Sequence, residues 1–260
     1  MPTIDRDGVK IYYEVHGNGP PLILTRGYSS TSEMWKGQIE ALSKHHKLVF
    51  WDMRGHGRSD YPEDPNAYGE ALTVADIAAL LDKVGANSAI VGGLSLGGYM
   101  SLAFYRAHPK RVRALLIIDT GPGFKKDDAR QAWNKRALDT ADRFERDGLA
   151  VLKSASRERS TVSHRDAAGL ARTARGMLTQ RDARVIEVLP EIKVASLIVV
   201  GADDAPFLAA SDYMAAKIPG AKKVVIPSAG HAVNIDQSQA FIDAVLPFLD
   251  GLPRVASSGI

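Results

Sequence analysis

Ser88-Ala89-Ile90-Val91-Gly92-Gly93-Leu94-Ser95-Leu96-Gly97-Gly98-Tyr99-Met100 is the stretch that decides the fold. The apolar run ending at Val91 reads as a buried strand, and Leu96–His108 carries apolar residues at helical spacing. Between them Gly93, Ser95 and Gly97 make G-x-S-x-G, the pattern of a nucleophile elbow. The spacing has a steric reason: a serine on a sharp strand-to-helix turn sits in strained backbone, and its neighbours two residues away must lack side chains for strand and helix to close. Such a turn lifts the Ser95 hydroxyl above the sheet. It also starts a helix beneath it, so the Leu96 N–H can face a developing oxyanion.

Outward from this turn the chain alternates. Lys10–Val15, Leu22–Thr25, Leu48–Trp51, Ala89–Val91, Ala114–Ile118, Leu197–Val200 and Val224–Ile226 read as strands. Helices are expected at Glu33–Ser43, at Thr73–Val84 with Thr73 as N-cap and Gly85 past the end, and after the elbow. Two more are expected near Ala209–Lys217 and at Gln239–Leu249. Strands alternating with helices predict an α/β fold with a mostly parallel central sheet covered on both faces. Residues 121–190 break the alternation, with helical patterns at Asp127–Arg146 (ended by Gly148), Arg165–Thr179 and Asp182–Leu189 (stopped by Pro190) and no convincing strand. The expected organisation is therefore a core of residues 1–120 and 191–260 with a helical cap, 121–190, inserted in it. Fifteen Lys/Arg minus ten Asp/Glu give the insert +5, against −2 for the remainder of a +3 chain, which reads as a solvated cap surface.

The 260 residues contain no cysteine, which excludes disulfides, thiolate metal sites and a cysteine nucleophile. No basic run or aromatic-basic interleaving suggests a nucleic-acid face, and no stretch approaches a membrane span. Met1-Pro2-Thr3-Ile4-Asp5-Arg6-Asp7-Gly8 has no apolar core and is no signal peptide, so a cytoplasmic location is expected. Nothing calls for a metal or another cofactor, and the oligomeric state is not legible.

A serine hydroxyl needs a base, so one of the seven histidines must supply it. His16, His45, His46 and His108 lie in turns and helix ends, His56 in a glycine-rich loop and His164 in the insert. His231 follows Val224-Val225-Ile226-Pro227-Ser228-Ala229-Gly230, on a loop after a buried strand, where open α/β sheets present functional groups. The base needs an orienting carboxylate. Leu197-Ile198-Val199-Val200-Gly201-Ala202-Asp203-Asp204 ends a strand with two adjacent acids pointing in different directions. Asp204 is favoured, with Asp203 the alternative and Asp119, at an earlier strand end, a third candidate.

With these residues in place the chain resembles the α/β-hydrolase superfamily over nearly its whole length. It looks nearest to the capped esterase, enol-lactonase and cofactor-free haloperoxidase-like group. The match is carried by Thr25-Arg26-Gly27-Tyr28, by Asp52-Met53-Arg54-Gly55-His56-Gly57-Arg58-Ser59-Asp60, by Gly93 to Gly98, and by Gly201 to Asp204 with Gly230-His231. The order Ser95, Asp204, His231 is that of the superfamily. In the second segment the glycines permit tight turns, while Arg54 and Asp60 are expected to tie the loop down. The resemblance implies a serine hydrolase that cleaves a small carboxylic ester or lactone through an acyl-enzyme. It also implies a second oxyanion donor, the backbone N–H of Tyr28, pairing with that of Leu96. The chain departs from the common pattern in having Arg26 where the family has histidine; Arg26 is either packed under the loop or brings a cation to an acidic substrate. Phe124, Trp133, Met177 and Leu178 of the insert, with Met100 and Phe207, are candidates for an apolar acyl pocket. Ser95 argues against dehalogenases and epoxide hydrolases, which use aspartate at the elbow. Carbon–carbon bond hydrolases and cofactor-free perhydrolases keep the serine triad and stay open, as do thioesters, amides and, in another class, a non-catalytic small-molecule receptor.

Overall fold

The computed structural model describes residues 1–154, 159 and 162–253; the remainder of the expected insert and core (155–158, 160–161 and 254–260) lies outside the described residues. Strands β1 (Thr3–Arg6), β2 (Val9–His16), β3 (Pro21–Thr25), β4 (Lys47–Trp51), β5 (Ala89–Leu94), β6 (Val112–Ile118), β7 (Ala195–Gly201) and β8 (Lys222–Ile226) form one sheet. Its order is β1-β2-β4-β3-β5-β6-β7-β8. The β1/β2 and β2/β4 pairs are antiparallel and every other pair is parallel. Helices α1 (Lys36–Leu42), α2 (Glu70–Lys83), α3 (Leu96–Ala107), α7 (Ala205–Lys217), α8 (Val233–Asp236) and α9 (Ser238–Asp250) belong to the sheet layer. Helices α4 (Asp127–Asp147), α5 (Ala167–Thr173) and α6 (Arg184–Glu187) come between β6 and β7, with no strand among the described residues there.

Alternation within the strands makes the sheet two-faced. From β6, Leu115 and Ile117 enter a core shared with Ile77 and Leu80 of α2 and Leu102 and Phe104 of α3. Ala114, Leu116 and Ile118 enter a second core with Trp35, Leu42 of α1, and Phe241 and Val245 of α9. The parallel register aligns the carboxyl ends of β3, β5, β6 and β7: Thr25 lies beside Gly93, Leu94 beside Ile118, and Ile118 beside Val199. The loops that leave these ends therefore meet along one edge of the sheet.

Three local expectations are corrected. Thr73 is no N-cap: its hydroxyl donates back to Gly69 O at 2.9 Å inside a helix that already starts at Glu70. The expected helix 165–179 is a shorter α5 continued by a wide turn at Ala174–Leu178. The first turn of the expected Glu33–Ser43 helix is a tighter one at Ser32–Trp35. Strand β1 escaped the pattern because Ile4 is its only buried residue. Among the described residues, no helix is long and apolar enough to cross a membrane.

Candidate active site

The elbow is built as its sequence requires. Ser95 holds φ +56° and ψ −118°, between the end of β5 and the first residue of α3. Its N–H donates to Ile118 O at 2.9 Å, while its carbonyl accepts the Thr120 hydroxyl at 2.6 Å and the Tyr99 N–H at 3.1 Å. These bonds hold a backbone conformation that non-glycine residues avoid. The glycines are obligatory through close approach: a Cβ on Gly97 would overlap the carbonyl of Thr25, and one on Gly93 would stand 2.5 Å from the carbonyl carbon of Gly97. Leu96 opens α3, where N–H groups have no intrahelical acceptor. The loop after β3 passes over the elbow, so that a Cβ on Gly27 would be 3.4 Å from that of Ser95. Tyr28 follows in that loop, and its hydroxyl donates to Leu170 O of α5 at 2.9 Å.

The loops after β7 and β8 bring the acid and the histidine together. Gly201 ends β7 where the β8 loop crosses it; a Cβ there would overlap the carbonyls of Ala229 and Gly230. Asp204, 5% exposed, accepts a hydrogen bond from His231 Nδ1 on Oδ2 at 2.8 Å, and the His231 side chain is 31% exposed. Asp203 is exposed. The Phe207 ring stacks on His231 with centroids 5.0 Å apart and planes at 24°.

Asp119 lies beneath this pair, 1% exposed and at φ +41°. Its Oδ1 accepts the Gly201 N–H at 2.8 Å and its Oδ2 the Val233 N–H at 3.3 Å, and its carboxyl lies within hydrogen-bonding reach of that of Asp204. Burial pushes its pKa up to about 8; the Asp204 charge adds to the rise and the two N–H groups oppose it.

Ser95, Leu96, Phe124, Trp133 and Phe207 all line one cavity of about 350 Å³ between elbow and cap, together with Leu178. Trp133 is fixed by its indole N–H, which donates to Leu178 O at 2.8 Å, and its ring lies 6.0 Å from that of Phe124. Met100 and Met177 are instead packed in the core. Two polar lining residues carry no pattern that marks them in the sequence: Arg136 of α4 and Gln180. Gln180 is tied through its backbone to Asn134 by reciprocal 2.8 Å hydrogen bonds. Its Oε1 has no hydrogen-bond partner among the described residues.

Arg26 is not in this cavity. It is wholly buried, with Nε 3.4 Å from Asp52 Oδ1 and Nη1 donating to Gly27 O at 3.1 Å, so the substrate-binding role is corrected to a packed ion pair under the loop. Burial lowers its pKa to about 10 and Asp52 works against that fall. Asp52 also accepts the N–H groups of Ser32 at 2.7 Å and Arg58 at 3.0 Å. The rest of the glycine-rich loop is tied down too: Arg54 holds Asp76 through two bonds of 2.8 and 2.9 Å, and Asp60 accepts the Lys10 N–H at 2.8 Å. His56 and His164 stand edge to face 5.7 Å apart beside Arg26, away from the cavity lining.

Comparison with known proteins places this geometry in a family. The family described as "alpha/beta hydrolase fold" matches residues 20–171. The 3-oxoadipate enol-lactonase 1 of Acinetobacter baylyi is 26% identical, over 95% of this chain and 96% of that protein. The crystal structure of the enol-lactonase from Burkholderia xenovorans LB400 superposes with a TM-score of 0.76 at 27% identity, covering 96% of this chain and 100% of the other. A thermophilic esterase from Thermogutta terrifontis, with malate bound, gives a TM-score of 0.81 at 26% identity over 95% and 96% of the two chains.

Proposed function

The chain belongs to the α/β-hydrolase family, and from that premise we propose that it is a serine hydrolase that cleaves a small carboxylic ester or lactone through an acyl-enzyme. The observation that carries this reading is the strained Ser95 in an apolar cavity whose wall, at Phe207, is stacked on a histidine hydrogen-bonded to a buried carboxylate. His231 takes the proton as Ser95 Oγ attacks the carbonyl carbon, and Asp204 stabilises the imidazolium and fixes the tautomer with the Nδ1–H toward itself. The N–H groups of Leu96 and Tyr28 receive the charge that forms on the carbonyl oxygen. His231 then protonates the departing alkoxide; water, deprotonated in turn by His231, attacks the acyl-enzyme and releases the acid and free Ser95.

Similarity to an esterase and to enol-lactonases supports esters and lactones as the acyl donors. A cavity of about 350 Å³ with mostly apolar walls suits a small acyl or lactone ring. The test is turnover of a p-nitrophenyl acyl ester series and of small lactones by the wild-type chain and Ser95→Ala, with a fluorophosphonate as a covalent probe. Turnover that ceases in Ser95→Ala and is blocked by the probe is expected. Full activity in Ser95→Ala would overturn the mechanism, and saturable ligand binding with no turnover would point to a receptor on this fold.

A further inference from the structure

Asp119 lies outside the set Ser95, Asp204 and His231, yet it touches each loop that carries the acid and the base. It is the first residue after β6, held at positive φ, with its own N–H donating to Val199 O of β7 at 2.9 Å. One carboxyl oxygen takes the N–H of Gly201, three residues before Asp204. The other takes that of Val233, two residues after His231. The same carboxyl meets Asp204, whose Oδ2 is already committed to His231 Nδ1.

Two carboxylates in contact and out of water cannot both be ionised without a large cost. One of them must donate a proton to the other for the contact to be a bond. Asp204 already accepts the imidazole N–H on Oδ2, so the donor of that bond is Asp119. Asp119 has the site for the proton: its Oδ1 is a strong acceptor at 2.8 Å, while the longer 3.3 Å contact to Oδ2 suits a hydroxyl oxygen.

Resting on the triad proposed above, we propose that Asp119 is a neutral carboxylic acid that serves as the positioning residue of the acid–base pair, its hydroxyl donating to Asp204 while its carbonyl oxygen anchors the Gly201 N–H. Burial, which pushes this carboxyl up to about 8, agrees with the geometry. The charged groups that bear on it are Asp204 at the start of α7 and, through Asp204, His231 on the loop before α8; β7 and α8 present only the N–H groups of Gly201 and Val233. The arrangement has a direction in pH. Below about 8 the O–H bond orients Asp204. Above it the proton is lost, two carboxylates face each other, and the Asp204–His231 geometry loosens.

Asparagine keeps a carbonyl to accept from Gly201 and an amide N–H to donate to Asp204, gives up only the long bond from the Val233 N–H, and cannot titrate. The test is the pH profile of kcat/KM for p-nitrophenyl acetate in wild type, Asp119→Ala and Asp119→Asn. Asp119→Ala is expected to lower kcat/KM by on the order of 10- to 100-fold at pH 7, through kcat more than KM. Asp119→Asn is expected to rescue most of that loss and to lack the fall that wild type shows above pH 8. An Asp119→Asn variant as impaired as Asp119→Ala, or one that retains the alkaline fall, would overturn the proposal. A second measurement does not depend on turnover: carbon-13 NMR titration of protein labelled at the aspartate carboxyl carbon, with the Asp119 signal identified by its absence in Asp119→Asn. A protonated carboxyl at pH 7 is expected and an ionised one overturns the assignment, even if the chain hydrolyses no ester and the triad reading itself fails.

Discussion

Strand β6, whose continuation at Thr120 and Gly121 lines the cavity, and helix α4, which lines it with Trp133 and Arg136, are made of different material. β6 reads Val112-Arg113-Ala114-Leu115-Leu116-Ile117-Ile118, buried except for Arg113, and its end hands the chain directly to Asp119. Helix α4 buries only Ala137, Ala141 and Phe144 and covers its outer side with ion pairs, Lys135 to Asp139 and Asp142 and Glu145 to Arg175. Exposed pairs of this kind contribute roughly 0.2–1 kcal/mol each, whereas the strand is fixed by close packing on both faces. The cap is fastened to the core by apolar side chains such as Phe144, Leu170 and Met177, which share the buried cluster with the sheet, and by single bonds from side chain to backbone, such as His164 to Ser29 O at 3.1 Å and Thr173 to Arg54 O at 3.2 Å. Ser95, Asp119 and Asp204 therefore follow closely packed strand ends, whereas Trp133 and Arg136 of the cavity wall sit on a helix whose outer side is held by weaker surface pairs.

Four measurements break or sharpen that contrast. Ser95→Ala, on the strand side, should lower kcat by on the order of 10⁴- to 10⁶-fold, read in a single-turnover assay. Arg26→Leu should cost about 3–5 kcal/mol in denaturant unfolding, because it removes one partner of a buried ion pair. In the same variant the ratio of rates for neutral and carboxylate-bearing esters should not change; a shift in that ratio would put Arg26 back among the groups that meet substrate.

The third measurement concerns the fastening of the cap. Burial, with Arg26 adding to it, holds the His164 pKa at about 4, and His56 is held well below its ordinary value for the same reasons. The unfolded chain therefore binds protons on these rings at a pH where the folded one does not, so stability is complete above about 6.5 and is lost as pH falls from there toward 4. For His164 alone the loss is up to about 3 kcal/mol. Melting temperatures across pH 4.5–7.5 should show that fall in wild type and a shallower one in His164→Gln. Smallest is Trp133→Ala on α4, expected to cost about 1 kcal/mol of stability with its bond to Leu178 O. Its signature is a change of about tenfold in preference along the acyl-length series, which would be missing if the cavity wall there did not touch the acyl group.

The same contrast explains what could be read before the structure. The strand ends were legible because β3 to β7 are short, mostly apolar runs; Ser95 and Asp204 each follow one of them, and His231 follows the apolar end of β8. Gly93 and Gly97 spoke for a close approach that local sequence alone can encode. The stretch between β6 and β7 was legible as helical, but its face toward the cavity was not. Arg136 and Gln180 reach the lining through tertiary placement, and nothing separates them in sequence from the many polar residues around them. Arg26 invited a role in binding because it stands beside the elbow loop; only its partner Asp52, brought in from the end of β4, shows that its charge is already spent inside the protein. Asp119 was visible as an acid at a strand end, while its contact with Asp204 depends on where β6, β7 and the His231 loop meet.

Tyr28 has its backbone in the loop over Ser95 and its hydroxyl on Leu170 of the cap, with the ring standing edge-on to Phe144 between them. An aromatic ring is stiff, so a displacement at one end arrives at the other nearly undiminished. A ligand too large for the cavity has to lift the cap, and lifting α5 pulls on the loop that carries the Tyr28 N–H. With the Tyr28 N–H as the oxyanion donor proposed above, oversized acyl groups would be discriminated against twice, once at entry and again when the oxyanion forms, and size selectivity would show in kcat as well as in KM.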